Sequence, residues 1–427
     1  MSDDSHSKEG KMHLTREESE MLEGKLGYPV QKSMELLVRF GEIYGAERLA
    51  SVSSVHLVGG GIVSDGKAAA LYVEELVNKG GKFVVNTTLD PGDVEPVYWR
   101  ELGISEETFR DQMAYSKLYE RLGTIMCHTC TPYDIGHIPR MGEHIAWGES
   151  SAVAFANSVL GARTNREGAP TAIASAITGR TALCGYHLDQ NRYGTFKVLV
   201  SANLEDVADY GSLGYFVGEL VQDQVPVFIG MPPHVTVDQL KALGAAIGTA
   251  GAVALYQAVG ITPEAQTEEQ AFGPKKPSES NIIEVGDREI RTTMEKLSTS
   301  STDEVDLVIL GCPHSSISEM KEIAELLSGR KVAPSVELWI FTSVPVIAYA
   351  ERAGYKDVIE KAGVKILRDT CPWGWEDHIL SRLGHKAVAT NSAKSAFYMP
   401  FSGHNNLMCH FGSTKRCIDA ALSGKWR

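Results

Sequence analysis

Two rhythms of apolar positions alternate along this chain. Short runs of adjacent apolar residues, bounded by glycine, proline or small polar residues, predict strands buried on both faces. Longer stretches in which apolar positions return every three or four residues predict amphipathic helices. Their alternation predicts an α/β protein. Helices are expected over 15–26, where Thr15-Arg-Glu-Glu18 has capping-box spacing, and over 30–44, which carries Met34, Leu36, Leu37 and Phe40. A strand at 54–58, a helix at 67–79 and a strand at 82–86 complete a first βαβ-like unit. Helical segments over 105–122 then lead to an apolar run at 123–126, expected as a strand.

The run 142–151 reads as a strand and sharp turn opening an alanine-rich helix over 152–160, with Ser150 or Ser151 as its N-cap. Strand and helix alternate again from 197 to 256. A strand is expected at 225–229, and the capping box Thr236-Val-Asp-Gln239 opens a helix over 240–247. Residues 262–282, rich in Pro, Glu, Gln, Ser and Lys, read as a linker between lobes at 12–261 and a carboxyl-terminal lobe at 283–427. After a helix at 287–298, that last lobe is expected to run strand 306–310, helix 315–327, strand 336–341, helix 346–353, strand 364–368, with a closing helix near 413–422. The polar start, residues 1–11, reads as a disordered extension.

Composition narrows the function classes. The 427 residues suffice for two or three lobes, and 43% apolar with 22% charged residues is ordinary for a soluble protein. A net charge of −13 argues against a nucleic-acid partner, because phosphate binding needs a basic surface. No run of about 18 apolar residues predicts a membrane span, and the start lacks the apolar core of a signal peptide. Seven scattered cysteines fit a reducing cytoplasm and metal or redox chemistry better than a disulfide framework.

Three of those cysteines closely follow strand-like runs and precede a proline: Cys130 in Cys-Thr-Pro-Tyr, Cys312 in Gly-Cys-Pro-His, and Cys371 in Asp-Thr-Cys-Pro. Proline lacks the N–H that continues a ladder and so marks a strand end. Ligands of open α/β sheets gather beyond the carboxyl ends of strands, so three thiols at three such ends are placed to share one crevice. They are either metal ligands or three ordinary buried thiols. Cys127 forms a C-x-x-C with Cys130, which is half a zinc site or a redox pair. Gly59-Gly60-Gly61 after the 54–58 strand lets the backbone approach a ligand or simply turn, and it lacks the dinucleotide fingerprint order. Asp90-Pro91 sits in a polar strand-end loop. Asn165 and Arg166 lie in a compact charged loop suited to anion binding. His187 is a candidate acid, base or donor, although a lone histidine is more often structural.

Several of these motifs are similar to one family. Cys-Thr-Pro-Tyr, Gly-Glu-His-Ile-Ala-Trp, the block Ala152–Glu167, Gly-Tyr-His-Leu-Asp, Gly-Cys-Pro-His and Asp-Thr-Cys-Pro resemble the aconitase X family in its large-subunit form, from about Met12 to the terminal Ser-Gly-Lys-Trp-Arg. The resemblance implies three aconitase-like α/β lobes around an iron–sulfur site, without the small swivelling domain, which is expected as a separate small subunit. It implies a hydro-lyase that dehydrates a small hydroxy acid: (R)-5-phosphomevalonate, giving trans-anhydromevalonate 5-phosphate in the mevalonate route to isoprenoids, in the archaeal branch, or cis-3-hydroxy-L-proline in the bacterial one. Cysteine in Gly-Cys-Pro-His and the two-subunit organisation favour the archaeal branch. Gly59-Gly60-Gly61 departs from that branch's Gly-Val-Ser form, and Asp90 stands where asparagine is expected.

By that resemblance Cys130, Cys312 and Cys371 are the ligands of a [4Fe–4S] cluster, with [2Fe–2S] or a mononuclear iron as alternatives and Cys127 as an alternative ligand. Three thiolates leave one iron open to substrate, where four would close it. Substrate contacts are expected from Gly59, Gly60, Gly61, Asp90, Pro91, Glu149, Ser150, Ser151, Asn165, Arg166 and Lys394, with Lys394 and His187 as possible catalytic assistants. The catalytic base is expected on the small subunit. Two other classes compete: a zinc or redox protein built on Cys127 and Cys130, and an RNA-binding regulator, which the acidic balance disfavours.

Overall fold

The computed structural model describes residues 12–274, 277–375, 379–399 and 407–427. The expected extension at 1–11 lies outside them. Three all-parallel sheets organise the chain. The first has the order Asn86–Leu89, Ser54–Leu57, Ala146–Trp147; the second Gln257–Ala258, Pro226–Ile229, Phe196–Val200, Ile282–Val285. The third has five strands in the order Lys365–Arg368, Glu337–Thr342, Leu307–Leu310, Ala387–Thr390, Met408–Phe411. Parallel strands need crossovers, and helices supply them, giving the three α/β lobes expected from the resemblance.

Strand order fixes where a ligand can sit. In the third sheet the chain leaves Leu307–Leu310 toward one edge, then returns to add Ala387–Thr390 on the other side. In the first sheet Ser54–Leu57 is flanked in the same way by Asn86–Leu89 and Ala146–Trp147. Each is a topological switch point, where loops splay apart and leave a crevice beyond the strand ends. The loop after Asn86–Leu89 is tied to the third sheet: Gly92 donates to Asp369 O at 2.9 Å, and Thr370 Oγ1 donates to Gly92 O at 2.9 Å. The two switch points therefore face one another.

Continuous apolar runs were reliable guides in the last lobe, where Leu307–Leu310 and Glu337–Thr342 are almost wholly buried. The capping boxes at Thr15 and Thr236 form as expected. Other expectations need correction. The run 82–86 is not a strand; Val84 is exposed, and the strand is the polar Asn86–Leu89. Its buried threonines are satisfied by side-chain hydrogen bonds, as Thr88 is by His56 and His137. The run 123–126 makes a single parallel bridge, Thr88 to Ile125, and leaves Ile125 and Met126 exposed. The first helix stops at Leu22, and Gly24 and Gly27 adopt positive φ just beyond it. The helix expected over 152–160 runs Ser150–Ser158, capped by Glu149 instead of either serine. The stretch 262–282 is built into the second lobe: Glu268–Phe272 is a helix, Ala265, Ala271 and Phe272 are buried, and Ile282 starts an outer strand. Residues 275–276 of that stretch lie outside the described residues. Among the described residues no helix is long and apolar enough to cross a membrane.

Candidate functional site

Each cysteine loop is placed by its strand. Leu307–Leu310 ends in Gly311, with φ near +93°, where an added Cβ would lie 2.1 Å from Phe341 O. Only glycine turns the chain here, and the turn delivers Cys312. Lys365–Arg368 runs through Asp369 and Thr370 to Cys371. Cys130 arrives differently, because its loop is held at the end of Asn86–Leu89 by Thr129 N–H donating to Leu89 O at 2.9 Å. The three thiols line one cavity of about 330 Å³ together with Gly59, Asp90, Pro91, Glu149, Ser150 and Lys394. Residues 182 and 59 positions apart in the chain thus share one wall.

An ion pair crosses the cavity. Lys394, at the start of the helix Ala393–Tyr398 that follows Ala387–Thr390, places Nζ 2.6 Å from Glu149 Oε1 and 3.3 Å from Ser150 Oγ. Glu149 follows Ala146–Trp147 and also accepts from the hydroxyl of Ser151 at 2.9 Å. Burial works against both charges. For Glu149, Lys394 and the Ser151 donors overcome it and hold the carboxyl down to about 2. For Lys394, burial is likewise outweighed by Glu149 and by Cys312, and the ammonium is held firmly protonated. Asp90 is the opposite case: burial, reinforced by the nearby Glu149 charge, pushes its carboxyl well above the ordinary range. Burial likewise raises Asp93 to about 6 although Ser64 donates to it from both N–H and hydroxyl. Asp65, also in the lining, is raised by burial too, so the cavity holds one firmly ionised pair beside three carboxyls that resist ionisation.

Behind Asp90 runs a buried chain of polar side chains. His56 Nε2 lies 3.3 Å from Asp90 Oδ1, and its Nδ1 lies 2.9 Å from Thr88 Oγ1. Burial keeps His56 neutral, its pKa lowered to about 3, which fixes the orientation of Asp90 without adding a charge. Nothing in the local sequence pattern marked His56, Ser64 or Asp93, and His314 entered only as the last residue of Gly-Cys-Pro-His, with no role of its own. Asp93 sits three residues after Asp90 in Asp-Pro-Gly-Asp, and His314 two after Cys312; adjacency to the strand-end motifs was the only available signal.

Other expected residues lie elsewhere. Gly60 and Gly61 stand behind Gly59: Gly60 N–H donates to Asp65, and Gly61 packs so closely on Asp93 that a Cβ would lie 2.2 Å from its carboxylate. Ser151 is buried against Glu149 as part of its support. Asn165 donates to Cys184 O at 3.2 Å and accepts from Tyr186 N–H, beside a separate cleft. Arg166 donates to Gly248 O at 3.3 Å and joins the first two lobes. His187 pairs its Nδ1 with that of His144 at 2.9 Å in another cleft, remote from the cysteines' cavity wall. Cys127 is buried outside the cavity lining, its thiol raised to about 11 by desolvation. Cys184, Cys409 and Cys417 are buried free thiols.

The donor set bears on whether a metal group fits. Among the described residues no three His, Cys, Asp or Glu side chains converge closely enough to clasp one metal ion. The three thiols instead face the cavity from three separate loops, an arrangement suited to a group with several metal corners. Burial raises the free thiols of Cys130 and Cys371 strongly, with Glu149 and Cys312 as the respective neighbouring charges. Thiolates in such a place need a cation beside them.

Profiles of the aconitase X first, second and third domains match residues 11–190, 194–295 and 305–423. The phosphomevalonate dehydratase large subunit of Methanothermobacter thermautotrophicus is 44% identical over 391 residues, covering 92% of this chain and 94% of the relative. The cis-3-hydroxy-L-proline dehydratase of Pseudomonas aeruginosa is 36% identical over 410 residues, 95% of this chain and 69% of the relative. The crystal structure of Thermococcus kodakaraensis aconitase X in its holo form superposes with a TM-score of 0.86 at 38% identity, covering 96% of this chain and all of that one.

Proposed function

This chain belongs to the aconitase X family, and on that basis we propose that it is the large subunit of a hydro-lyase that dehydrates (R)-5-phosphomevalonate to trans-anhydromevalonate 5-phosphate. The observation that carries the reading is the shared cavity of Cys130, Cys312 and Cys371 beside the Glu149–Lys394 pair, in a chain this similar to large subunits of that name. Aconitase-like proteins use an iron–sulfur cofactor in general. The specific form favoured here is a [4Fe–4S] cluster on the three thiolates, with [2Fe–2S] as the alternative; the single iron is disfavoured, because among the described residues no three donors converge on one ion. When bound, such a group supplies a Lewis acid for a departing hydroxyl.

The chain's own residues bind and orient the substrate. Lys394, oriented by Glu149, offers its ammonium to a substrate carboxylate or phosphate. Ser150 Oγ and the first N–H groups of Ser150–Ser158 add donors and the positive end of a helix. Asp90 and Asp93, raised by burial, can stay protonated beside an anionic substrate and so avoid repelling it. Among the described residues lining the cavity Lys394 is the only lysine or arginine. A substrate with both carboxylate and phosphate therefore takes further contacts from elsewhere, and the small subunit is the source we favour. That partner also supplies the base that removes the proton beside the carboxylate. The complex is placed in the cytoplasm, consistent with seven unpaired cysteines.

The second reading, cis-3-hydroxy-L-proline dehydration, is favoured by the similarity to the Pseudomonas aeruginosa enzyme and by the single cation, which suffices for a lone carboxylate. Anaerobic co-expression with a small subunit, followed by assay of water loss from both substrates, separates the two. Turnover of phosphomevalonate by the complex and not by the isolated chain is expected. Full turnover by the isolated chain would overturn the two-subunit reading, and exclusive turnover of hydroxyproline would overturn the substrate.

A further inference from the structure

Every polar atom of His314 is engaged, and its contacts reach all three cysteine loops. Its backbone N–H donates to Cys130 Sγ at 3.2 Å. Its ring Nδ1 lies 3.1 Å from the hydroxyl of Thr129, the residue before Cys130. Its Nε2 lies 2.9 Å from the carbonyl of Thr370, the residue before Cys371. Its own chain carries Cys312 two residues earlier. The side chain is buried, only 2% exposed.

Hydrogen-bond roles follow from the partners. A carbonyl oxygen can only accept, so Nε2 carries the proton and donates to Thr370. Nδ1 is then the acceptor, and the Thr129 hydroxyl donates to it. The carbonyl of His314 accepts from Lys241 Nζ at 3.3 Å. Lys241 belongs to the helix Val237–Ala250 of the second lobe and is itself held by Glu319 at 2.5 Å and Asp238 at 3.1 Å. One residue thus touches the first lobe through Thr129 and Cys130, the third through Thr370, and the second through Lys241. No other residue described above joins all three.

We propose that His314 is a positioning residue that sets the mutual placement of Cys130, Cys312 and Cys371, and so the geometry of the metal group they hold. The proposal rests on the three thiols being ligands. It assigns His314 no proton transfer: both ring nitrogens are committed to protein partners. A generic buried histidine would fill space and satisfy one or two groups. This one fixes a thiol, the neighbours of two thiols and an inter-lobe lysine.

The test uses His314→Phe, which keeps a ring and removes both nitrogens, His314→Gln, which retains a donor for Thr370, and Thr129→Val. Each is prepared with the small subunit and reconstituted anaerobically with ferrous iron and sulfide. Iron retention against a chelator and the electron paramagnetic resonance spectrum of the reduced protein are recorded. In the iron-free protein, alkylation of Cys130 by iodoacetamide is followed by mass spectrometry. His314→Phe is expected to lose iron roughly 10–100-fold more readily, the range seen when the support of a metal ligand is removed. A shifted spectrum and faster Cys130 alkylation should accompany the loss, with His314→Gln intermediate. Retention, spectrum and alkylation all matching wild type would overturn the proposal. If His314→Phe fails to fold, Thr129→Val decides: the same changes at smaller size support the assignment, and wild-type behaviour refutes it. Should the wild-type complex itself take up no iron, the reading of the thiols as ligands fails; the alkylation comparison then still decides whether His314 positions Cys130.

Discussion

Lys394 Nζ lies 2.6 Å from Glu149 Oε1 across a separation of 245 residues, and neither side chain is more than 14% exposed. Each keeps the other ionised in a place where burial alone would discharge both. Lys394→Met strands the carboxylate, and breaking a buried pair from one side costs about 3–5 kcal/mol. Urea unfolding of the iron-free protein should show that loss. The double variant Glu149→Gln with Lys394→Met should lose markedly less than the two single losses combined, while turnover stays abolished in all three.

The cysteines divide by location. Cys130→Ser, Cys312→Ser and Cys371→Ser should each lower iron content after anaerobic reconstitution at least about tenfold, since on the proposed ligation each removes a ligand. Cys127→Ser should retain iron near the wild-type level, because Cys127 is buried away from the cavity wall. Iron and sulfide analysis checks all four. Zinc without iron or sulfide in the anaerobically purified protein would instead revive the Cys127–Cys130 pair.

Much of the third lobe was legible because its strands are continuous apolar runs with no solvent-facing side to interrupt them. The shared cavity of Cys312 and Cys371 was legible because proline marks the ends of the strands before them, whereas Cys130 reaches it although the run before it is not a strand. Asn86–Leu89 was not, since its polar residues hide the strand and the buried Thr88 is satisfied by His56 and His137, distant partners that no local window contains. His56, Asp93 and Lys241 escaped notice for the same reason. Asn165, Arg166 and His187 stood out as charged or polar motif residues, but their partners turn out to be backbone carbonyls and another histidine. A motif marks a constrained position; which constraint it is depends on contacts made across the fold.

Stability should respond to pH in two windows of opposite sign. Asp93 is raised from 3.8 to about 6, so the unfolded chain releases its proton first. Its contribution is intact below about pH 4 and is lost as pH rises through 6, an effect of roughly 2–3 kcal/mol. Glu149, held down to about 2, contributes stability above its unfolded value of 4.5 and loses it as pH falls toward 2. Asp93→Asn should flatten the decline between pH 4 and 6 and leave the acid limb in place. Urea midpoints of the iron-free protein across that range provide the check.

Gly311→Ala should be disproportionately damaging for so small a change. It combines a φ near +93° with a Cβ 2.1 Å from a backbone oxygen that cannot swing away. A loss above about 2 kcal/mol is expected from strain and displacement together, with iron retention falling as Cys312 moves. Gly329→Ala, also at positive φ but with open space around it, serves as the control for strain alone.

The interleaving of the lobes also orders events during synthesis. A chain emerging at about 5–20 residues per second takes on the order of 10–50 s to extend the roughly 240 residues from Cys130 to Cys371. For the first 184 of them the Cys130 loop lacks the N–H of His314, and for nearly all of them the loop at Gly92 lacks its tether to Thr370. On the proposed ligation, a group held by all three thiols can be loaded only once the last lobe has left the ribosome.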